Sequence, residues 1–283
     1  DLYIVSVSEK KLRKLVDQAG PDRSPTWSPD GKMIAFNSGM GSESYFINSE
    51  ISVIPSTGGK IRCLTRKFDE NANIAYWKKL GIYFTALDGM SNHYYLLNPK
   101  DGQIRQMDKS TWMYRGSSVS RDGRRLALSY SDKNSYPELY VADLKSDSKT
   151  GDVYWGATKK LSDFSKQISQ WKLATKEAIS WKSKDGAKIT GVLIKPADFN
   201  PKKKYPLFVI IHGGPTGISY PQKLDRYNYY YPIEQWAAKG AVFLEPNYRG
   251  SAGFGAEFRK LNFRNLGVGD YWDVISGVDH LIE

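Results

Sequence analysis

Short apolar segments of one kind recur through the first half of the chain: LYIV at 2–5, ISVI at 51–54, YYLL at 94–97 and LYVA at 139–142. Their starts lie 43 to 49 residues apart. Each is followed by a polar turn and a second short segment, as in PSTGGKIRCLT (55–65) and NPKDGQIRQM (98–107). The fourth copy carries an insertion around KSDSKTGDVYWGATKKLS. A second pattern lies between them. SPTWSPDGKMIAFNS (24–38) matches GSSVSRDGRRLALSY (116–130), with Asp30-Gly31 and Asp122-Gly123 in the same place. Asp-Gly supplies the positive φ of a tight hairpin turn, and apolar alternation flanks it on both sides. NIAYWKKLGIYFTA (73–86) has lost the Asp-Gly but keeps the strand pair. Short strands at this period read as β-propeller blades. About three and a half are visible, where roughly four to eight close a ring, so further blades are expected before residue 1. The opening LYIV reads as a chain cut within a strand.

From about residue 176 the pattern changes. AISWKSKDGAKITGVLIKP (178–196) is one more hairpin, with Asp185-Gly186 at its turn. LFVII (207–211) and AVFLEP (241–246) are continuous apolar runs, the pattern of fully buried parallel strands. A helix is expected at about 226–239 (RYNYYYPIEQWAAK), interrupted or started by Pro232 and ended by Gly240. A glycine-rich loop, NYRGSAGFG (247–255), precedes GVGDYWDVISGVDHLIE (267–283). The latter predicts a helix with Asp270 as N-cap and Asp273 at its third position. Val274, Ile275, Val278, Leu281 and Ile282 should form its inner face. Strand, loop, helix, strand, loop, helix is the order of an α/β domain with a mostly parallel sheet. The expected division is therefore all-β propeller blades over 1–172 and the first part of an α/β domain over 173–283.

Composition adds bounds. The 283 residues suffice for two cores, and 40% hydrophobic with 25% charged residues is a globular balance. No apolar run approaches the roughly 20 residues that span a bilayer. The net charge of +11 is spread through both halves, with one tight run at Lys202–Lys204, and so does not point to nucleic acid. The single cysteine, Cys63, sets aside a disulfide framework and a multi-cysteine metal site, and reads as a small buried residue. No metal spacing or phosphate loop is present, and no cofactor is predicted.

The succession SWKSKDGAKITGVLIKP, YPLFVIIHGGP, WAAKGAVFLEPNYRGSAGFG and GVGDYWDVISGVDHLI closely resembles the prolyl oligopeptidase family of serine peptidases, in its acylaminoacyl-peptidase and bacterial dipeptidyl-peptidase-like branch. The resemblance implies a β-propeller in front of an α/β-hydrolase domain. It also implies hydrolysis of short oligopeptides through an acyl-enzyme, and a bacterial periplasmic or secreted setting. It assigns HGGP to the oxyanion hole, where rigid N–H donors meet the negative charge of the transition state. Gly214 matches the family's donor, with Gly213 and His212 shaping the turn. Relatives that cleave after proline or act as dipeptidyl peptidases often carry tyrosine where His212 stands, so the resemblance does not imply proline specificity. In NYRGSAGFG a packing role below the nucleophile is favoured, and Arg249 is kept as the substrate-side candidate.

The nucleophile elbow G-x-S-x-G is absent. Ser251 in RGSAG has Arg249 where the elbow needs glycine. His93 falls in a blade strand, His280 on the last helix, and His212 comes too early for the order Ser, Asp, His. No triad residue is assigned within the chain. The serine, aspartate and histidine are expected after Glu283, in the rest of the catalytic domain, on the same polypeptide or a second chain. The expected partners are peptide substrates and that remainder, with a homo-oligomer left open. Two alternatives stand beside this reading: a non-catalytic propeller binding protein, and an esterase-type acyl hydrolase on the same fold.

Overall fold

The computed structural model describes residues 1–40, 46–108, 111, 113–146, 153–224 and 230–282. Strands dominate it. β1 (Leu2–Ser6) and β2 (Lys11–Val16) form an antiparallel pair. β3 (Asp22–Trp27), β4 (Met33–Ser38), β5 (Glu50–Pro55) and β6 (Arg62–Cys63) form a four-stranded antiparallel sheet in sequence order. β7 (Asn73–Lys78), β8 (Gly81–Asp88), β9 (Ser91–Leu97) and β10 (Ile104–Gln106) repeat that order. β11 (Met113–Val119), β12 (Arg125–Ser131) and β13 (Glu138–Ser146) repeat it again, with β14 (Val153–Trp155) and β15 (Lys159–Lys160) both paired to β13. Residues 147–152 of the expected insertion lie outside the described residues.

The sequence repeats now have a physical meaning. LYIV, ISVI, YYLL and LYVA fall on β1, β5, β9 and β13, the last three being the third strand of their sheets. The Asp-Gly copies make the same turn. Ser28 and Ser120 each accept the N–H of the glycine three residues on, at 2.9 Å. Their hydroxyls donate to Asp30 and Asp122 at 2.7 and 2.6 Å, and Gly31 and Gly123 take φ of +71° and +72°. The period-2 pattern then sends neighbouring side chains to opposite sides of each sheet. Ile82, Phe84, Tyr95 and Leu97 pack toward β4 and β5, while Tyr83, Tyr94 and Leu96 pack toward β11 and β12. Leu2 and Val16 join Ile34, Phe36 and Ile54 in the same way. The tyrosines are thus packing residues between successive sheets. His93 belongs to the same scaffold: it is buried on β9, with Nδ1 2.9 Å from Asp108 Oδ1. Cys63 is half-buried, and burial together with the Glu50 carboxylate beside its Sγ pushes its thiol up.

A further sheet has the order β16 (Thr175–Lys182), β17 (Lys188–Lys195), β19 (Val242–Asn247), β18 (Leu207–Val209). β17 and β19 are antiparallel, β18 and β19 parallel. α1 (Ile233–Ala238) packs through Ile233 and Ala237 on Val192, Ile194 and Phe243. α2 (Gly255–Lys260) is short, and α3 (Gly269–Ile282) lies where Trp181 and Leu244 meet Leu281. Gly240 ends α1 as expected. Its N–H bonds Ala237 O at 2.9 Å, and the next N–H, of Ala241, bonds Trp236 O at 2.9 Å, the two bonds of a Schellman closure.

Several expectations need correction. The helix of 226–239 begins only after Pro232, at Ile233, and residues 225–229 lie outside the described residues. The run 207–211 pairs in parallel, and among the described residues β18 has a strand partner on one side only, β19, leaving Phe208 42% and Ile211 57% exposed within these 283 residues. Asp270 is not the N-cap of α3 but lies in its first turn, because the helix starts one residue earlier. Its inner face is also narrower than the apolar pattern suggested. Gly269, Asp273 and Gly277 are the buried positions, and Ile282 is 76% exposed. The indole of Trp181 sits so close to Gly277 that only small or hydrogen-bonded residues fit on that face.

Candidate functional site

β18 runs out into His212-Gly213-Gly214-Pro215, and β19 into the loop that begins at Asn247. Because β18 and β19 are parallel neighbours, both loops leave the same end of the sheet. They are fastened together. Asn247 is buried, accepts the Ser219 N–H at 2.7 Å and donates to Ser219 O at 2.8 Å. Tyr248 donates its hydroxyl to His212 O at 2.7 Å, and the two rings stack at 4.6 Å. His212 itself is buried, with Nε2 3.0 Å from Ser251 Oγ. The Ser251 hydroxyl donates to Tyr248 O at 2.6 Å. A serine has one proton to give, so its oxygen accepts from His212 Nε2–H, while Nδ1 of the same ring lies 3.2 Å from Gly213 O.

This arrangement bears on both Ser251 and His212. Ser251 is fully buried and its proton is engaged with a carbonyl, so it is built as a brace rather than a nucleophile. The His212 ring is engaged by Ser251, Tyr248 and Gly213 O. The two glycines behave differently: Gly213 and Gly214 are exposed. Gly214 has φ of +127°, and a Cβ there would meet the backbone nitrogens of Thr216 and Gly217 at 2.9 Å. Only glycine fits that turn without strain.

Arg249 is 4% exposed. It forks onto Asp273, with Nε 2.9 Å from Oδ2 and Nη2 2.7 Å from Oδ1. Its backbone N–H also bonds Asp273 Oδ2, at 2.7 Å. Asp185, from the β16–β17 turn, accepts from Nη1 and Nη2 at 2.9 and 3.1 Å. The Asp273 bonds, and then Asp185, hold the guanidinium charged well above its ordinary range, against its burial. Arg249 in turn holds the Asp185 carboxyl below its usual value. A direct substrate contact from Arg249 would require breaking these bonds. As it stands, the residue ties the loop to α3 and to the β16–β17 hairpin.

The same loop is docked on the antiparallel sheets. Gly253 N–H bonds Glu70 Oε2 at 2.7 Å, and Gly253 O accepts from Gly89 N–H at 2.7 Å. Ala256 N–H bonds Asp69 Oδ1 at 2.9 Å. Arg259, fully buried, donates to Glu70 and Asn48. Met113, Ile218 and Tyr220 form an apolar cluster with Leu87, Met90 and Phe254. Sequence reasoning missed Glu70, Arg259 and the part of Asp273 as counter-charge. The one available signal was an aspartate among the apolar residues of α3. No group of three or more His, Cys, Asp or Glu side chains suited to a metal occurs among the described residues. Among the described residues no helix is long and apolar enough to cross a membrane.

Comparison with known proteins shows what the chain is similar to. Residues 227–283 match the prolyl oligopeptidase family. The chain is 26% identical over 289 residues to dipeptidyl-peptidase 5 of Porphyromonas gingivalis, covering 99% of this chain and 40% of that protein. It is 26% identical over 348 residues to the uncharacterized peptidase YuxL of Bacillus subtilis, covering 100% of this chain and 50% of the relative. It thus spans half or less of the length of these relatives. Among solved structures, the acylaminoacyl peptidase of Pyrococcus horikoshii superposes with a TM-score of 0.75 at 22% identity, covering 99% of this chain and 40% of that one. The chain thus shares a strand-rich fold with that peptidase, resembles both sequences along essentially its whole length, and over residues 227–283 matches the prolyl oligopeptidase family.

Proposed function

We propose that the protein carrying this chain is a serine peptidase that hydrolyses short oligopeptides through an acyl-enzyme. In this reading residues 1–172 are the last blades of a β-propeller and 173–283 the first part of an α/β-hydrolase domain. The observation that carries the proposal is the turn at Gly214. It is exposed at the end of a parallel strand, held in a conformation only glycine takes easily, and braced from behind by His212, Ser251 and Tyr248. Ligands of parallel sheets bind at that end of the strands. A preorganised N–H donor there suits the developing oxyanion of acyl transfer.

The nucleophile, its histidine and its aspartate would be supplied from outside residues 1–283, since no G-x-S-x-G occurs in the chain and Ser251 is buried. Gly213 and His212 shape the turn. Arg249 acts as a positioning residue, through Asp273 and Asp185, on the loop that supports it. Fold alone leaves peptide and ester substrates equivalent; the family's relatives named as peptidases favour the peptide. The test is kinetic. Gly214→Ala in the protein carrying this chain keeps the N–H but strains the turn that aims it, and should lower kcat on a peptide substrate by up to the about 10²–10³ of a lost donor, with KM changed much less. An unchanged kcat would overturn the role given to Gly214.

A further inference from the structure

The basic residues look scattered along the sequence, yet the fold gathers several of them at one place. Antiparallel strands return alternately to the two ends of a sheet, so the β7–β8 and β11–β12 turns emerge at the end opposite the β8–β9 turn. That second end carries Gly89, which bonds Gly253. At the first end, away from the Gly214 turn, lies a cleft of about 990 Å³ between the third and fourth sheets. Lys78 and Lys79 line it from one turn, Arg121, Arg124 and Arg125 from the next, and Lys145 from the end of β13.

Six cations there face two carboxylates, Asp122 and Asp143. Asp122 is occupied in its own turn, accepting from Ser120 Oγ at 2.6 Å and Arg124 N–H at 3.1 Å. Asp143 lies 3.5 Å from Arg125 Nε. Lys78, Lys79, Arg121, Arg124 and Lys145 have no carboxylate within ion-pair distance among the described residues. A second, independent feature belongs to the same cleft. Tyr83 lines it, and the Tyr83 hydroxyl is buried without a hydrogen-bond partner. Burial, and then the neighbouring Tyr76, push that hydroxyl up to about 12, so it remains a proton donor in any ordinary buffer. Uncompensated cations repel one another, and a multivalent anion seated among these side chains would relieve that repulsion.

We propose that this cleft is a binding site for a small polyvalent oxyanion, a compound bearing clustered phosphate or sulfate groups. Three arginines offer planar forks that match such oxyanions, and the lysines add point charges around them. The cleft volume suits a compact ligand carrying several anionic groups. The site is separate from the Gly214 turn and does not depend on the peptidase reading.

The test is calorimetric titration of the protein with inorganic tripolyphosphate at low and at 0.5 M salt. Saturable one-to-one binding that weakens with salt is expected. The triple variant Lys79→Gln, Arg121→Gln, Arg124→Gln should weaken it at least about tenfold, as expected for three lost charges near an anion. Lys202→Gln, Lys203→Gln, Lys204→Gln removes the same net charge elsewhere and should leave it within about twofold. All six positions are on exposed turns, and circular dichroism confirms that both variants are folded. A parallel titration with a sulfated disaccharide distinguishes the sources: whichever probe binds more tightly names the group the cleft is made for. Equal weakening by the two triple variants would reduce the effect to net charge and overturn the proposal. So would the absence of saturable tripolyphosphate binding, including the case where only long duplex DNA binds.

Discussion

Replacing Asp273 by asparagine tests how the glycine-rich loop is held. Asp273 accepts three N–H groups of Arg249: the backbone at 2.7 Å, Nε at 2.9 Å and Nη2 at 2.7 Å. Both side chains are buried, at 0% for Asp273 and 5% for Arg249. Asparagine keeps the shape but has one accepting oxygen. Whichever way it turns, its amide meets at least one Arg249 donor, and the loss of a charged hydrogen bond costs about 1.5–3 kcal/mol. Removing one partner of a buried pair typically costs about 3–5 kcal/mol. Asp185 remains as a second counter-charge but is 56% exposed, so the expected loss sits near the low end, about 3 kcal/mol.

With a urea dependence of about 2–3 kcal/mol/M, this lowers the unfolding midpoint by about 1 M or more. Asp185→Asn, at the exposed end of the same network, should cost less than about 1 kcal/mol. The assay is urea unfolding of both variants, followed by tryptophan fluorescence, together with the cycle Arg249→Met, Asp273→Leu and the double change. The double variant should be less destabilised than the two singles combined, because it leaves no buried charge unpaired. If Asp273→Asn stays within about 1 kcal/mol of the parent, or costs no more than Asp185→Asn, the reasoning about this pair is wrong.

Other outcomes follow from the same contacts. Gly253→Ala places a Cβ 2.3 Å from Gly89 O at a φ of +91°; a loss of at least about 2 kcal/mol is expected in urea unfolding, and a neutral result would refute the packing described. Glu138 is fully buried. Burial would push its carboxyl up, but the Ser162 hydroxyl and the N–H groups of Ser165 and Phe164 outweigh it and hold it at about 2, below the ordinary 4.5. That difference corresponds to about 3 kcal/mol of stability, fully present above pH 4.5 and lost as pH falls toward 2. The stability gap between the parent and Glu138→Gln should therefore close across that window, and a gap independent of pH would contradict the assignment. Ser251→Ala leaves the buried His212 Nε2–H without its acceptor, at a cost of about 1–3 kcal/mol. Peptide hydrolysis should be reduced but not abolished, and its complete loss in a folded variant would count against the bracing role.

What the sequence disclosed depended on how local each feature is. The Ser-x-Asp-Gly turns, the third-strand repeats and the Gly240 helix end are each written within a few neighbouring residues, and the structure contains them. The role of Arg249 was not local: its counter-charge lies 24 positions away on a helix whose periodicity pointed to apolar residues instead. The bond from Arg259 to Glu70 joins residues 189 apart, and nothing in either neighbourhood marks them as partners. The exposure of β18 was hidden for a related reason. An apolar run states that a strand can be buried, and only the sheet order, with β18 paired on one side among the described residues, decides whether it is. The basic cleft gave the same lesson in reverse, since charges dispersed along the chain became neighbours only when the turns converged.

The most direct test of the central claim is labelling of the protein carrying this chain with a fluorophosphonate probe, followed by peptide mapping. The account predicts a single labelled serine in a peptide outside residues 1–283, with Ser251 unmodified. Label on Ser251, or no labelled serine in protein that is folded, would contradict it.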